Sequence, residues 1–338
     1  MAPSLGKILG EIGLNIGLEV RNTINGLNYK ERADICPSIL KGEKTKNVDA
    51  IGEKISIKSL EALSEELSIP IRLIIEPTKN SFYDIGSLKG EDKMNVYLDP
   101  VDGTIKLAGL GNSQDVLRMV NDGVWGFGIS FTMPTKKPIE DLQIKDFIYS
   151  AIVDGNPSLH NVFPTNAFTK NPNRKIMTYE KLENKKFNYQ KNEHVLLTTS
   201  TQENLAQGII GYDAFQGFDR NSAPRETEEL ALKVYKKLSN RNEGGAFDLW
   251  RIYGEFGDIL RTQLGYKELE PQGVGRVILN NHLGNAIPTY SILIGAGASI
   301  VDFSGRDIGE RKINEGRTNM ICAANPGIER KILDLINS

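Results

Sequence analysis

Apolar residues recur at helical spacing from Leu5 to Ile24, and the pattern returns from Ser59 to Leu67 behind Ser56 or Ser59, either of which suits an N-cap. Two helices are therefore expected to open the chain. Ile71-Arg72-Leu73-Ile74-Ile75 and Met94-Asn95-Val96-Tyr97-Leu98 are short runs rich in branched and aromatic residues, and each meets a proline soon after, at Pro77 and Pro100. Both read as strands that stop where acidic residues sit. Trp125 to Met133 and Phe147 to Val153 read as further strands, separated by a polar loop holding Pro134 and Pro138.

From Asn166 to His194 the composition shifts to Asn, Lys and Tyr, which predicts exposed connecting structure near a boundary between two lobes, 1–165 and 166–338. Beyond it, Val195 to Thr199 reads as a strand, Glu228 to Leu238 as a helix and Ala246 to Tyr253 as another helix, with Asp248 placed to interact with its N-terminus. Tyr290 to Ile294 and Ser299 to Phe303 are apolar segments around the turn Gly295-Ala296-Gly297-Ala298, and Ile328 to Ile336 reads as a closing helix. No internal repeat is visible.

Composition narrows the function without naming it. The chain has 338 residues, 39% hydrophobic and 25% charged, with 41 Lys+Arg against 43 Asp+Glu, so its net charge of −2 creates no general field for nucleic acid or an anionic membrane. A small soluble ligand fits better. The two cysteines, Cys36 and Cys322, belong to no C-x-x-C or Cys/His cluster, which argues against a disulfide scaffold or structural zinc and makes the cytoplasm the expected compartment. No apolar run reaches the roughly 18 residues of a membrane span. The Leu5 to Leu18 stretch carries Lys7 and Glu11 and lacks a basic lead, so it reads as an ordinary first helix.

The chemistry concentrates in Asp99-Pro100-Val101-Asp102-Gly103-Thr104. Two carboxylates stand three residues apart around a proline, and clustered Asp residues, the Val101 carbonyl and the Thr104 hydroxyl are oxygen donors of the kind magnesium prefers. Gly103 would let a phosphate approach backbone N–H groups. Taken alone, the hexapeptide also suits a type I turn with Asp as turn former. His282 stands with only His160 and His194 as other histidines, with no fixed spacing that suggests a ligand cluster.

The hexapeptide resembles the D-P-[IL]-D-G-T signature of the inositol monophosphatase and fructose-bisphosphatase superfamily. Other pieces follow in the same order. Ile74-Ile75-Glu76-Pro77 resembles a strand-terminal Glu-Glu pair, with Pro77 in place of the second Glu, and Phe147 to Gly155 resembles the strand before the lobe crossover. Gly244-Gly245-Ala246-Phe247-Asp248-Leu249-Trp250 resembles a small-residue lead into a helix, and Gly257-Asp258-Ile259 a helix end. Gly297-Ala298-Ser299-Ile300-Val301-Asp302-Phe303-Ser304-Gly305-Arg306 resembles Gly-Gly-x-x-x-Asp-x-x-Gly, and Ala323-Ala324-Asn325-Pro326 a closing Ala-Asn-Pro.

The resemblance implies an α/β layered sandwich of αβαβα architecture and a Mg2+-dependent hydrolase, with Mn2+ as a possible substitute, acting on a small sugar, inositol or related phosphate. It implies metal ligation by Glu76, Asp99, the Val101 carbonyl and Asp102. Thr104 would position water, with Asp102 and Glu76 beside it in the catalytic set. Gly103, Thr104, Gly244, Gly245, Ala246 and Asn285 are the implied phosphate contacts, and a homodimer is expected. Two departures bear on activity. Gly284-Asn285-Ala286-Ile287 falls where the family has Trp-Asp-x-Ala-Ala, so Asn285 replaces an Asp ligand of the second metal and brings no charge. No residue of Asp49 to Glu61 aligns cleanly with the family's water-activating Asp; Asp49 and Glu53 are the nearest carboxylates. The rival reading is a scaffold that binds a phosphorylated ligand without efficient turnover.

Overall fold

The computed structural model describes residues 5–38, 44–76, 81–102, 125–155, 166–169, 177–179, 195–196, 198–213, 225–251 and 272–338. Its first helix, α1 (Leu5–Asn25), buries Leu9, Ile16, Val20 and Ile24, the face that the helical spacing marks. A short helix α2 (Tyr29–Ala33), capped by Asn28, and the hairpin β1 (Ile35–Pro37) and β2 (Lys44–Lys46) lead into α3 (Asn47–Leu67). The sequence reading starts this helix near Ser56 or Ser59, whereas it starts at Asn47 and Ser56 is fully buried inside it. The reason lies in the buried stripe Val48, Gly52, Ser56 and Leu60, whose small members keep helical spacing without supplying hydrophobicity.

One large sheet carries β3 (Ile71–Glu76), β4 (Ser81–Ile85), β5 (Met94–Asp102), β6 (Gly126–Thr132), β7 (Phe147–Asp154), β8 (Asn166–Thr169), β9 (Met177–Tyr179) and β10 (Val195–Leu196). Their order is β10-β9-β8-β7-β6-β5-β3-β4. Strands β8 to β10, all later than residue 165, thus extend the first sheet, and Ala167, Phe168 and Thr169 are buried where exposed connecting structure is expected. A second sheet has the order β12-β11-β13-β15-β14, built from β11 (Gly208–Asp213), β12 (Asp248–Arg251), β13 (Gln272–His282), β14 (Ser299–Asp302) and β15 (Arg317–Ala323). Helices α4 (Arg225–Ser239), α5 (Leu283–Ala296) and α6 (Pro326–Asn337) complete the described α-helices.

Residues 248–251, read from sequence as part of a helix, form the edge strand β12, paired in parallel with β11 from Ile209↔Asp248 to Tyr212↔Arg251. Asp248 therefore opens a strand rather than a helix. Pairing with β11 supplies backbone partners to a segment too short to sustain a helix alone.

Three cores divide the layers. Leu60, Leu73, Val96, Leu98, Phe127 and Val153 join α1 and α3 to one face of the large sheet. On its other face, Ile74, Tyr97, Phe147 and Ile152 pack with Ala286, Ile287 and Leu293 of α5 and with Ile278, Ile300 and Met320 of the second sheet. The far face of that sheet buries Ile210, Val277 and Ile321 against Val234 of α4 and Ile332 of α6. The layers therefore run helix, sheet, helix, sheet, helix. A buried hydroxyl chain ties α5 to the large sheet, with Ser291 Oγ 2.7 Å from Ser150 Oγ and Ser150 Oγ 2.7 Å from Ser130 Oγ.

Asp302 locks the far end of β14. Its carboxylate accepts from the backbone N–H groups of Ser304 at 2.8 Å and Arg306 at 3.1 Å, and from Arg306 Nε at 3.0 Å. Burial alone would raise this carboxyl, but the bonds from Ser304 and Arg306 outweigh it and hold the group below the usual carboxylate range. Such a group contributes stability above its unfolded pKa and loses it as pH falls through the lower folded value. Asp302→Ala should cost about 2–3 kcal/mol near neutral pH, the scale of one strong charge-assisted hydrogen bond, because Arg306 is itself largely exposed. Urea melts should show that gap from wild type narrowing below pH ~4; a gap independent of pH would contradict it.

Candidate active site

The strand β5 runs through Pro100 instead of stopping before it. It pairs with β6 at Asp99↔Gly128 and again at Asp102↔Gly126, so three steps along β5 match two along β6. This is a β-bulge, a place where a sheet tolerates proline. The parallel ladder to β3 ends at Ile74↔Tyr97, which leaves Pro100 beyond the β3 pairing.

The bulge decides where the carboxylates face. Gly126 and Gly128 are two residues apart and share a face, so their partners Asp102 and Asp99 share it too. It is the face of Tyr97, which belongs to the central core, whereas Val101 packs into the outer core and Pro100 is buried. Both Asp residues are half-buried, and the glycines opposite place no side chain beside them.

Helix α5 approaches from the same side. A Cβ on Gly284 would lie 2.8 Å from the Tyr97 hydroxyl, so only glycine lets the first turn of α5 come this close to β5. Asn285 is the next residue, half-buried, and its Nδ2 lies 3.4 Å from Asn281 Oδ1 at the end of β13. The N-cap residue, His282, provides no side-chain cap, and the Leu283 N–H of the first turn donates instead to the Gly316 carbonyl at 3.0 Å.

On the outer side, a Cβ on Gly52 of α3 would lie 2.7 Å from Pro100 Cβ, so α3 backs directly onto the bulge. This puts Asp49 and Glu53 within a helical turn of that contact. Asp49 accepts from Thr45 Oγ1 at 3.1 Å, and buried Glu53 accepts from Ser38 Oγ at 3.0 and 2.9 Å. Burial, and then the charges of Glu53, Asp49 and Asp34, push the Cys36 thiol up, which marks the neighbourhood as electronegative.

Neither a protein-family model nor a curated protein matches the sequence. Solved structures do match. The fructose-1,6-bisphosphatase of Leishmania major, solved in holo form, aligns with TM-score 0.64 at 15% identity over 99% of this chain and 95% of that one. The extragenic suppressor protein SuhB of Bartonella henselae aligns with TM-score 0.62 at 13% identity over 98% and 99%. An inositol monophosphatase from Zymomonas mobilis gives 0.57 at 13% over 98% and 97%. The chain has the inositol monophosphatase fold.

Within that fold, the described residues bring Asp99, Asp102 and Asn285 to one side of the large sheet. Glu76 ends β3 two residues past Ile74, beyond the last pair of the ladder with β5 and past an irregularity in β3 itself. Gly103, Thr104 and the Gly257-Asp258-Ile259 segment lie outside the described residues. Among those described, no three carboxylate, imidazole or thiol side chains gather into a metal cage. Two carboxylates on one face, with the Asn285 amide on the same side of the large sheet, nonetheless offer the donor types that suit a hard divalent cation.

Gly244, Gly245 and Ala246 stand elsewhere. Their N–H groups donate to the carbonyls of Arg241 at 3.2 Å, Asn240 at 2.9 Å and Leu238 at 2.8 Å, so the turn consumes the amides that a phosphate would need. Register places them at the opposite end of the sheet: Asp248 pairs with Ile209, which pairs with Gly273 near the start of β13, whereas Asn285 follows the end of that strand. The separation is about 30 Å at ~3.3 Å per residue. Sequence reasoning also passed over Asn281, a fully buried polar residue four positions before Asn285; its one signal is the Asn280-Asn281 pair that interrupts an apolar strand.

The contact between Gly284 and Tyr97 is testable by calorimetric melting. Gly284→Ala should destabilise the fold by about 1–3 kcal/mol through overpacking. In a double-mutant cycle, Tyr97→Phe should recover part of that cost by removing the clashing hydroxyl; strictly additive effects would show that α5 does not press on Tyr97.

Proposed function

We propose that this chain is a Mg2+-dependent phosphate monoester hydrolase for a small sugar, inositol or related phosphate, with Mn2+ able to substitute. The observation that carries the reading is the bulge that turns Asp99 and Asp102 to one face, beside the first turn of α5. Glu76, Asp99, the Val101 carbonyl and Asp102 would hold the first cation, and Asp99, Asp102 and Asn285 would face a second. When bound, the cations would supply charge neutralisation at the phosphoryl oxygens and a lowered pKa for water.

The chain's own groups do the rest. Thr104 would orient the attacking water, while Gly103 and the backbone N–H groups of Gly284 and Asn285 in the first turn of α5 would face the phosphate oxygens. Gly244, Gly245 and Ala246 are not assigned a part. The reading also holds that the chain is a cytoplasmic homodimer whose partner is a small phosphorylated metabolite, not nucleic acid or membrane. No described helix is long and apolar enough to cross a membrane.

Asn285 favours a second reading, a protein that binds a phosphorylated ligand but turns it over poorly, because an amide adds no charge to a cation site. Phosphate release from inositol, fructose and nucleotide monophosphates, followed against Mg2+ concentration, separates the two. Asp99→Asn should weaken Mg2+ binding at least tenfold and abolish release. Asn285→Asp should lower the Mg2+ concentration for half-maximal rate. Wild type and Asn285→Asp both inactive, yet binding phosphate, would leave the second reading; an active enzyme whose Mg2+ dependence ignores position 285 would remove Asn285 from the site.

A further inference from the structure

The bulge of β13 against β15 mirrors the one in β5. Ile278 pairs with Met320 and Asn281 with Thr318, again three steps against two, so Ile278 and Asn281 share a face. Ile278 belongs to the central core, and Asn281 therefore enters the same layer, where it is fully buried. Asn280 absorbs the irregularity with a left-handed backbone, φ +55°, a conformation asparagine tolerates better than most residues. Its N–H donates to Asn319 Oδ1 at 2.8 Å, and its carbonyl accepts from Arg317 Nη1 at 2.8 Å, so the bulge is held from β15.

We propose that Asn281 is a positioning residue that fixes which end of the Asn285 amide is presented to the carboxylate pair. The inference rests on the cation-binding reading of that pair. Asn285 carries one acceptor oxygen and one NH2 group, and the two orientations of its amide are chemically opposite. With Nδ2 turned to Asn281 Oδ1 at 3.4 Å, Oδ1 is the end left for a cation. The reverse orientation would turn N–H groups toward Asp99 and Asp102 and compete with a cation for their lone pairs. A carboxylate at position 285 would have two equivalent oxygens and need no such guide. Asn281 thus compensates in orientation, though not in charge, for the amide at 285.

The test is a titration of the protein with Mn2+ alone, without substrate, reading free Mn2+ by electron paramagnetic resonance. Asn281→Leu should weaken Mn2+ binding about tenfold, the lower end of what loss of a ligand-orienting partner costs. Asn281→Asp, which keeps the acceptor, should not weaken it. In an Asn285→Asp background, Asn281→Leu should change affinity by less than about twofold, since orientation no longer matters. Asn281→Ala gives the same comparison if leucine is not accommodated, and melting curves confirm that each variant is folded. Equal losses in both backgrounds, or none in the wild-type background, would reduce Asn281 to a packing role and overturn the proposal. Failure of wild type and Asn285→Asp alike to bind Mn2+ would overturn the cation reading itself, and the proposal with it.

Discussion

A β-strand turns successive side chains to opposite faces, so residues three apart point away from each other unless something breaks the alternation. In β5 the break is the bulge at Pro100 and Val101. It adds one residue, restores Asp99 and Asp102 to a common face, and does so at the position where β5 has outrun its pairing with β3. The surrounding structure is arranged around that local irregularity. Gly52 lets α3 close against Pro100 from outside, and Gly284 lets α5 close against Tyr97 from inside. Side chains at either glycine would push a helix off the strand.

The five-layer order gives these contacts their consequence. Because α5 lies between the two sheets, its first turn meets Tyr97 of β5 from one side, and Asn285 meets Asn281 at the end of β13 from the other. The bulge in β13 repeats the parity change and brings Asn281 to the same layer. The bulges in β5 and β13 therefore set the faces of Asp99, Asp102 and Asn281. The buried hydroxyls of Ser130, Ser150 and Ser291 pin the helix to the large sheet and fix its height.

Much of this was legible in the residues. Helix α1 and strands β3, β6 and β7 follow from strong apolar periodicity, and the layered architecture is what the resemblance to the inositol monophosphatase superfamily implies. The misses share a cause, which is that tertiary partners decided what local pattern left open. The first half of α3 hides behind Gly52, which packs against Pro100 of β5, and the buried Ser56. Residues 248–251 are a strand because β11 pairs with them. Proline at position 100 reads as a stop, yet a bulge accommodates it. Gly244, Gly245 and Ala246 look like a phosphate cradle in one dimension, and only sheet register shows them at the far end.

The account stands or falls on whether the shared face of Asp99 and Asp102 holds a cation. Crystals soaked in millimolar Mn2+ with inorganic phosphate, and measured for anomalous scattering, test this directly. The expected result is a peak within about 2.0–2.6 Å of carboxylate oxygens from both Asp99 and Asp102. A well-ordered crystal with no peak between those side chains, or with Mn2+ held only elsewhere on the chain, would contradict it.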